Sequence, residues 1–221
     1  MAGYYVVKQG DHLSGIADAY GFPSYKKIWN HPNNGALKAL RQNPNVLFPG
    51  DSVYIPDREE QSYSKPTDAR HKFTLTSQTL LLKIEMDRGY AQPIANAPCE
   101  LTVDGNRFQM ASDGAGRVQH DISKSAVDAT LVVKDKITNH GTDVPLDWKL
   151  SLKIGYLDPV EEVSGQQARL SNLGYYRGDP GTTDPDEMKS AVEEFQCENN
   201  LQVDGICGPI TQAKLKAVHG S

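Results

Sequence analysis

Tyr5-Val6-Val7-Lys8-Gln9-Gly10-Asp11-His12-Leu13-Ser14-Gly15-Ile16-Ala17 decides how the first part of this chain folds. The apolar run from Tyr4 to Val7 has the composition of a short strand, and Gly10 after it can take a positive-φ turn. Asp11 is then the candidate N-cap of a helix in which Leu13, Ile16, Ala17 and Tyr20 recur at helical spacing. Gly21 stops that helix, and Ser24 can cap a second one carrying Tyr25, Ile28 and Trp29. The segment closes on Asn43-Pro44-Asn45-Val46-Leu47-Phe48-Pro49-Gly50-Asp51-Ser52-Val53-Tyr54-Ile55-Pro56, an asparagine-rich turn, a Pro-Gly loop and a final strand. The expected order is strand, helix, helix, strand.

Together the opening and closing stretches resemble a LysM domain over residues 4–56. Two features depart from that family. His12 stands where a small hydroxyl residue is common, and the middle is lengthened by Asn33-Asn34-Gly35 and a helical turn through Leu37 and Leu40. The resemblance implies binding of N-acetylglucosamine-containing chains in a groove between the Gly10–Leu13 loop and the Val46–Gly50 loop. It names Gly10, Asp11, His12, Leu13, Val46, Leu47, Phe48 and Pro49 as contacts. Backbone groups would bond the N-acetyl amide, and Leu47 or Phe48 would pack on a sugar face. A shallow groove of this size corresponds to roughly 1 mM to 1 μM per site, about −4 to −8 kcal/mol.

Downstream, Asp57 to Arg70 is polar and turn-rich, as a linker is. Residues 71–157 then alternate with period two. Leu80, Leu82, Ile84 and Met86 form one such set; Cys99, Leu101 and Val103 another; Trp148, Leu150, Leu152 and Ile154 a third. Each predicts a strand with one face inward and one in water. Asp104-Gly105 marks a tight hairpin, and Ser112-Asp113-Gly114-Ala115-Gly116 a second turn. The expectation is an antiparallel sandwich. Pro98–Ile122 resembles transthyretin-like or Ig-like spacer modules.

Helical periodicity returns at residue 160. Leu170 and Leu173 face one way before Gly174. Asp184, Pro185 and Glu187 form an N-cap, N1 proline and capping-box set, followed by Met188, Ala191, Val192 and Phe195 at i, i+3, i+4 and i+7. Gly208-Pro209 opens a further helix. With Ala168–Tyr176, Ala191–Gln196 and Asn200–Thr211, the stretch 163–219 resembles the three-helix peptidoglycan-binding domain. The first loop, Arg177-Gly178-Asp179-Pro180-Gly181-Thr182-Thr183, departs from the Asp-Gly-x-x-Gly turn seen at Asp204–Gly208. Tyr175, Tyr176 and Gln196 are the candidate contacts here.

Composition narrows the functions. A net charge of −5, with Lys26-Lys27 the one adjacent basic pair, argues against nucleic acid as partner. No apolar run approaches the roughly 20 residues that span a bilayer, so no membrane insertion is expected. No basic-then-apolar leader precedes Tyr4, which points to synthesis in the cytoplasm, with action at the periplasm or cell wall or export by a dedicated machine. Three cysteines do not make a disulfide scaffold. Cys197 and Cys207 either pair in an oxidising space or serve as small apolar side chains. The six histidines, His12, His31, His71, His120, His140 and His219, contain no compact ligand motif, and His120 shares a strand face with Val118 and Ile122. No metal, cofactor or catalytic residue is expected.

The resulting expectation is an α+β multidomain chain: a LysM-like βααβ module over 1–57, a linker over 58–70, a β-sandwich spacer over 71–158 and a peptidoglycan-binding-like helical module over 159–221. Its task would be non-catalytic binding of peptidoglycan or a chitin-like glycan. The stretch Tyr25–Asp57 is also similar to LysM proteins associated with type VI secretion spike clusters, which implies a spike protein or effector as a second partner. Two alternatives stand beside this: a protein–protein scaffold with both modules repurposed, or the wall-targeting partner of a hydrolase acting in trans.

Overall fold

The computed structural model describes residues 2–58, 64–72, 79–88, 92–139, 142–178, 182 and 184–221, without the side chains of 137–139 and 142–143. The Glu59–Ser62 part of the expected linker, His140, and residues 179–181 and 183 of the first helical-module loop lie outside them. The architecture is α+β, with antiparallel sheets and six α-helices among the described residues. No described helix is long and apolar enough to cross a membrane. Contacts divide the chain into two compact units, one of Met1–Ile16, Tyr25–Asp57 and Gly155–Ser221, the other of Ala17–Ser24 and Arg58–Ile154.

In the first unit, β1 (Gly3–Val6) pairs antiparallel with β2 (Ser52–Ile55), Tyr4 opposite Tyr54 and Val6 opposite Ser52. Helix α1 (Leu13–Ala19) follows β1 and runs out of this unit; α2 (Lys26–Trp29) is a single turn, and α3 (Gly35–Arg41) is the lengthened middle foreseen from Leu37. Val7, Leu13, Ile16, Ile28, Trp29, Leu37, Val46, Leu47, Val53 and Ile55 are buried. Asn34 ties the pieces together from a buried position. Its amide donates to Ile28 O and Tyr54 O, and its carbonyl accepts from Tyr54 N, each at 2.7–2.8 Å.

The same unit holds α4 (Val163–Asn172), α5 (Pro185–Glu198) and α6 (Pro209–His219). Gly174, at φ 85°, ends α4, with Tyr175 N donating to Leu170 O and Gly174 N to Ser171 O. That is the paired-bond termination for which glycine is suited. Asp184 caps α5 through bonds from Asp186 N and Glu187 N, with Pro185 in the first turn, as the sequence predicts. Leu170, Met188, Ala191, Val192, Phe195 and Leu215 form the core of these helices with Val160 and Tyr176.

The second unit contains two antiparallel sheets. β3 (Leu80–Glu85) pairs with β6 (Arg117–Ile122), while β4 (Pro98–Val103), β5 (Asn106–Ala111), β7 (Asp128–Asn139) and β8 (Thr142–Lys153) form a sheet in the order β5-β4-β7-β8. Their apolar faces share one core built from Leu101, Val103, Val118, Ile122, Leu131 and Val133, with Leu80, Leu82 and Ile84 against it. Asp104 and Gly105 both have positive φ, 45° and 83°, which is the two-residue hairpin geometry the Asp-Gly pair favours. One expectation fails along β8. Leu152 and Ile154 pack on the core, but Trp148 stays 41% exposed and Leu150 36%. The reason is topological: β8 is the edge strand of its sheet, and Trp148 and Leu150 lie at that edge, opposite Val133 and Leu131, which are themselves fully buried one strand further in.

Candidate functional site

The loop joining β1 to α1 is organised by two side chains. Gly10 takes φ 88°, and the Asp11 carboxylate accepts from Lys8 N (2.8 Å) and from the Tyr5 hydroxyl (2.7 Å). Asp11 is therefore not the helix cap that its position suggests, because its oxygen is committed to the turn before it. His12 takes that role. Its Nδ1 accepts from Gly15 N at 3.2 Å, the bond a hydroxyl or carboxylate makes at an N-cap, and this places the ring proton on Nε2. The departure from a hydroxyl residue at His12 thus preserves the local structure.

The second loop is laced to the first. Leu13 N donates to Pro44 O (3.1 Å), and Asn45 Oδ1 accepts from the Ser14 hydroxyl (3.0 Å). Beyond it, Val7 N donates to Asp51 O and Gly50 N to Val7 O, both at 2.9 Å. Asp51 closes the 48–51 turn by accepting from Phe48 N. Arg41 grips Asp51 with two bonds, 2.8 Å from Nε and 2.9 Å from Nη2, and lies 5.7 Å from the centre of the Phe48 ring. The hydrogen bond to Asp51 holds the Arg41 guanidinium above its ordinary value despite burial, and the charges of Asp51, Glu161 and Glu162 add to it. A two-bond arginine–carboxylate pair of this kind fixes geometry more than it adds stability.

Among the helices, Gln196 is buried and its amide is fully engaged. Oε1 accepts from Asp204 N and Gly205 N, while Nε2 is shared among Asp204 Oδ1, Ile206 O and Thr211 Oγ1, all at 2.8–3.0 Å. Asp204 also accepts from Ile206 N, and these bonds, that from Ile206 first, hold its carboxyl below the usual aspartate value. Tyr176 is buried and donates to Thr182 O at 3.0 Å. Tyr175 is only partly covered: its ring meets Phe195 edge-on and its hydroxyl donates to Glu198 at 2.7 Å. Burial, then that carboxylate, push its hydroxyl up to about 12.

Comparison with known proteins bears on both ends of the chain. Residues 5–35 match the LysM domain family, and residues 159–215 match a peptidoglycan binding domain family. The chain carries one segment of each. No curated protein and no solved structure matches it.

The structure gathers Gly10, Asp11, His12 and Leu13, inside the LysM match, on one loop and places Val46, Leu47, Phe48 and Pro49, beyond the end of that match, on the loop bonded to it. Their side chains differ in availability. His12, Leu13, Val46 and Leu47 are buried as whole residues, so these four are not surface contacts and Leu47 is not available to pack on a sugar face; Phe48 and Pro49 are half-buried and Gly50 is exposed. In the peptidoglycan binding segment, Gln196 and Tyr176 hold loops together, and Tyr175 alone of the three keeps a partly open ring. Sequence reasoning missed Arg41, Asn45 and Asp51, which shape the second loop; the Asn-Pro-Asn and Gly-Asp pattern was their signal. It also missed Gly155–Asp158, for which no local signal exists.

Cys197 is exposed and Cys207 partly buried, and both are free thiols; burial pushes Cys207 up to about 11. Cys99 lies in the β core. Among the described residues, no three His, Cys, Asp or Glu side chains are grouped as metal ligands would be.

Proposed function

We propose that this chain is a non-catalytic peptidoglycan-binding protein that uses its LysM and helical segments together. The observation that carries this reading is the presence of both wall-binding families in one chain, at residues 5–35 and 159–215, with residues 5–16, 25–35 and 159–215 in the same unit. The peptidoglycan family match and the paired loops support the ligand class. The half-open Phe48 and Pro49 offer the apolar surface that an N-acetylated sugar chain needs, and the partly exposed Gly10 and Asp11 a polar edge. The β-rich unit, which we take as an Ig-like or transthyretin-like spacer, has no assigned ligand. The domain limits we propose are 1–57, 71–158 and 159–221, with a linker at 58–70; by contacts, Ala17–Ser24 falls with the β-rich unit and Gly155–Asp158 with the first.

The finer proposal is that the chain serves as an accessory of a type VI or other contractile secretion machine, with a spike protein or effector as second partner. It is supported by the similarity of Tyr25–Asp57 to LysM proteins of that setting. A wall-associated location follows from the two families. A scaffold reading is favoured by one observation: Gln196 and Tyr176, expected at a sugar surface, are spent inside the helical segment.

Co-sedimentation with purified sacculi separates the two. Binding that survives washing and drops when the Phe48–Gly50 turn is altered supports glycan recognition; a chain that stays in the supernatant at low and high salt supports the scaffold. Clearing of wall suspensions by the protein alone would refute the non-catalytic claim.

A further inference from the structure

The stretch Gly155–Asp158 lies directly on the β1–α1 loop, inside the first unit. Gly155, at φ 82°, sits so near that a Cβ there would fall 2.5 Å from Gly10 O and 2.8 Å from His12 Cδ2. Conversely, a Cβ on Gly10 would lie 2.9 Å from Cε2 and Cζ of Tyr156 and 3.2 Å from its hydroxyl oxygen. Two glycines from distant parts of the chain are what permit this approach. The stretch is fastened on both sides. Gln9 Nε2 donates to Asp158 Oδ1 across 149 residues of sequence, and Ser164 Oγ donates to Asp158 Oδ2 at 2.7 Å. Buried Arg169 donates from Nη1 to Asp158 O and Gly165 O.

Tyr156 is therefore held in place without being covered: 38% of it remains exposed. An aromatic ring with an apolar face and a polar hydroxyl, fixed against Gly10 with part of its surface open, has the chemistry that a pyranose ring meets well. On the continuation of the same stretch, the charges of Glu161 and Glu162 are felt at Arg41, which lies 5.7 Å from the centre of the Phe48 ring.

We propose that Tyr156 is a sugar-stacking wall of the LysM groove, so that a β-linked N-acetylhexosamine chain is bound in a composite site built from both ends of the polypeptide. This rests on the peptidoglycan-binding reading and deepens it, because Tyr156 lies outside both family matches. It replaces two independent weak sites with one site of fixed geometry.

The test uses the full chain and an N-acetylglucosamine tetramer, titrated by calorimetry and by NMR of the tyrosine rings. Tyr156→Ala and Tyr156→Leu should each weaken binding about tenfold, the scale of one lost stacking contact, while Tyr156→Trp stays within about threefold. Leucine keeps an apolar contact on Gly10, so it separates stacking from packing if the alanine variant is unstable. The Tyr156 ring signals of the wild type should shift on titration. Unchanged affinity in the leucine variant, or ring signals that do not move, would overturn the proposal while leaving peptidoglycan binding intact. Tighter binding by either truncation would make Tyr156 a cover rather than a wall, and also overturns it. A wild-type chain that binds neither tetramer nor sacculi refutes the underlying reading itself.

Discussion

Gln196→Ala tests whether the amide is a structural clamp or a ligand contact. The substitution removes five hydrogen bonds at once, two accepted by Oε1 and three made by Nε2. Net hydrogen bonds are worth about 1 kcal/mol each, but the Asp204–Ile206 loop is largely exposed, and water can satisfy its amides once the side chain is gone. Thr211, buried beside it, keeps no such recourse. The expected loss is thus about 2–4 kcal/mol, below the sum of five full bonds. At a urea slope of about 2 kcal/mol per molar, the midpoint should fall by roughly 1–2 M. Urea unfolding followed by far-ultraviolet circular dichroism measures this directly. Sacculus binding by the folded fraction, measured in the same buffer, should be unchanged. A variant as stable as wild type that loses glycan binding would refute the reasoning, since it would make Gln196 a contact after all.

Other outcomes follow from single features. His12→Ala should destabilise by about 1–2 kcal/mol through loss of the cap, and His12→Asn should recover most of it; equal melting of the two variants would show that the Nδ1 bond does not cap α1. Gly165→Ala should cost at least several kcal/mol or prevent folding, because a Cβ there would lie 1.9 Å from Pro159 O; a soluble, wild-type-like variant in thermal denaturation contradicts the close approach. Acid should weaken the fold with a definite sign. Asp135 beside Arg88, Asp113 accepting from Arg117 N and Ala115 N, and Asp204 are all held below the ordinary value of 3.8. The unfolded chain binds more protons there, so their stabilisation is complete above 3.8 and lost as pH falls through the lower native values. His219, kept below 6.5 by burial and Arg169, adds loss of the same sign already around pH 6.5. Urea midpoints that rose on acidification from pH 7 to 3 would contradict this.

Legibility in the sequence followed the range of the interactions. The Asp104-Gly105 hairpin, the Gly174 helix end and the Asp184-Pro185-Glu187 start are set by neighbours within a few residues, and they appear where the residues place them. Capping at His12 was hidden because imidazole is an uncommon cap and Asp11 next to it a common one. Trp148 and Leu150 show the limit of period-two alternation, which assigns a side chain to a face but does not say whether its strand lies at the centre or the edge of the sheet. Gln196 was half legible: it falls four residues after Val192 on the buried face of α5, so burial was implied, whereas its bonds to the 204–206 loop were not. Packing of Gly155 and Tyr156 on Gly10 depends on two distant glycines approaching each other, and no local pattern encodes that.

The central claim is that the Gly10–Leu13 loop of the LysM segment and the Val46–Gly50 loop bonded to it hold an N-acetylated glycan. Titrating the ¹⁵N-labelled chain with soluble, peptide-free peptidoglycan strands tests it most directly. The account predicts saturable amide shifts concentrated at Gly10–Leu13 and Phe48–Gly50, with an apparent affinity of roughly 1 mM or tighter. Spectra that stay unchanged at millimolar glycan, or shifts confined to the β-rich unit, would contradict it.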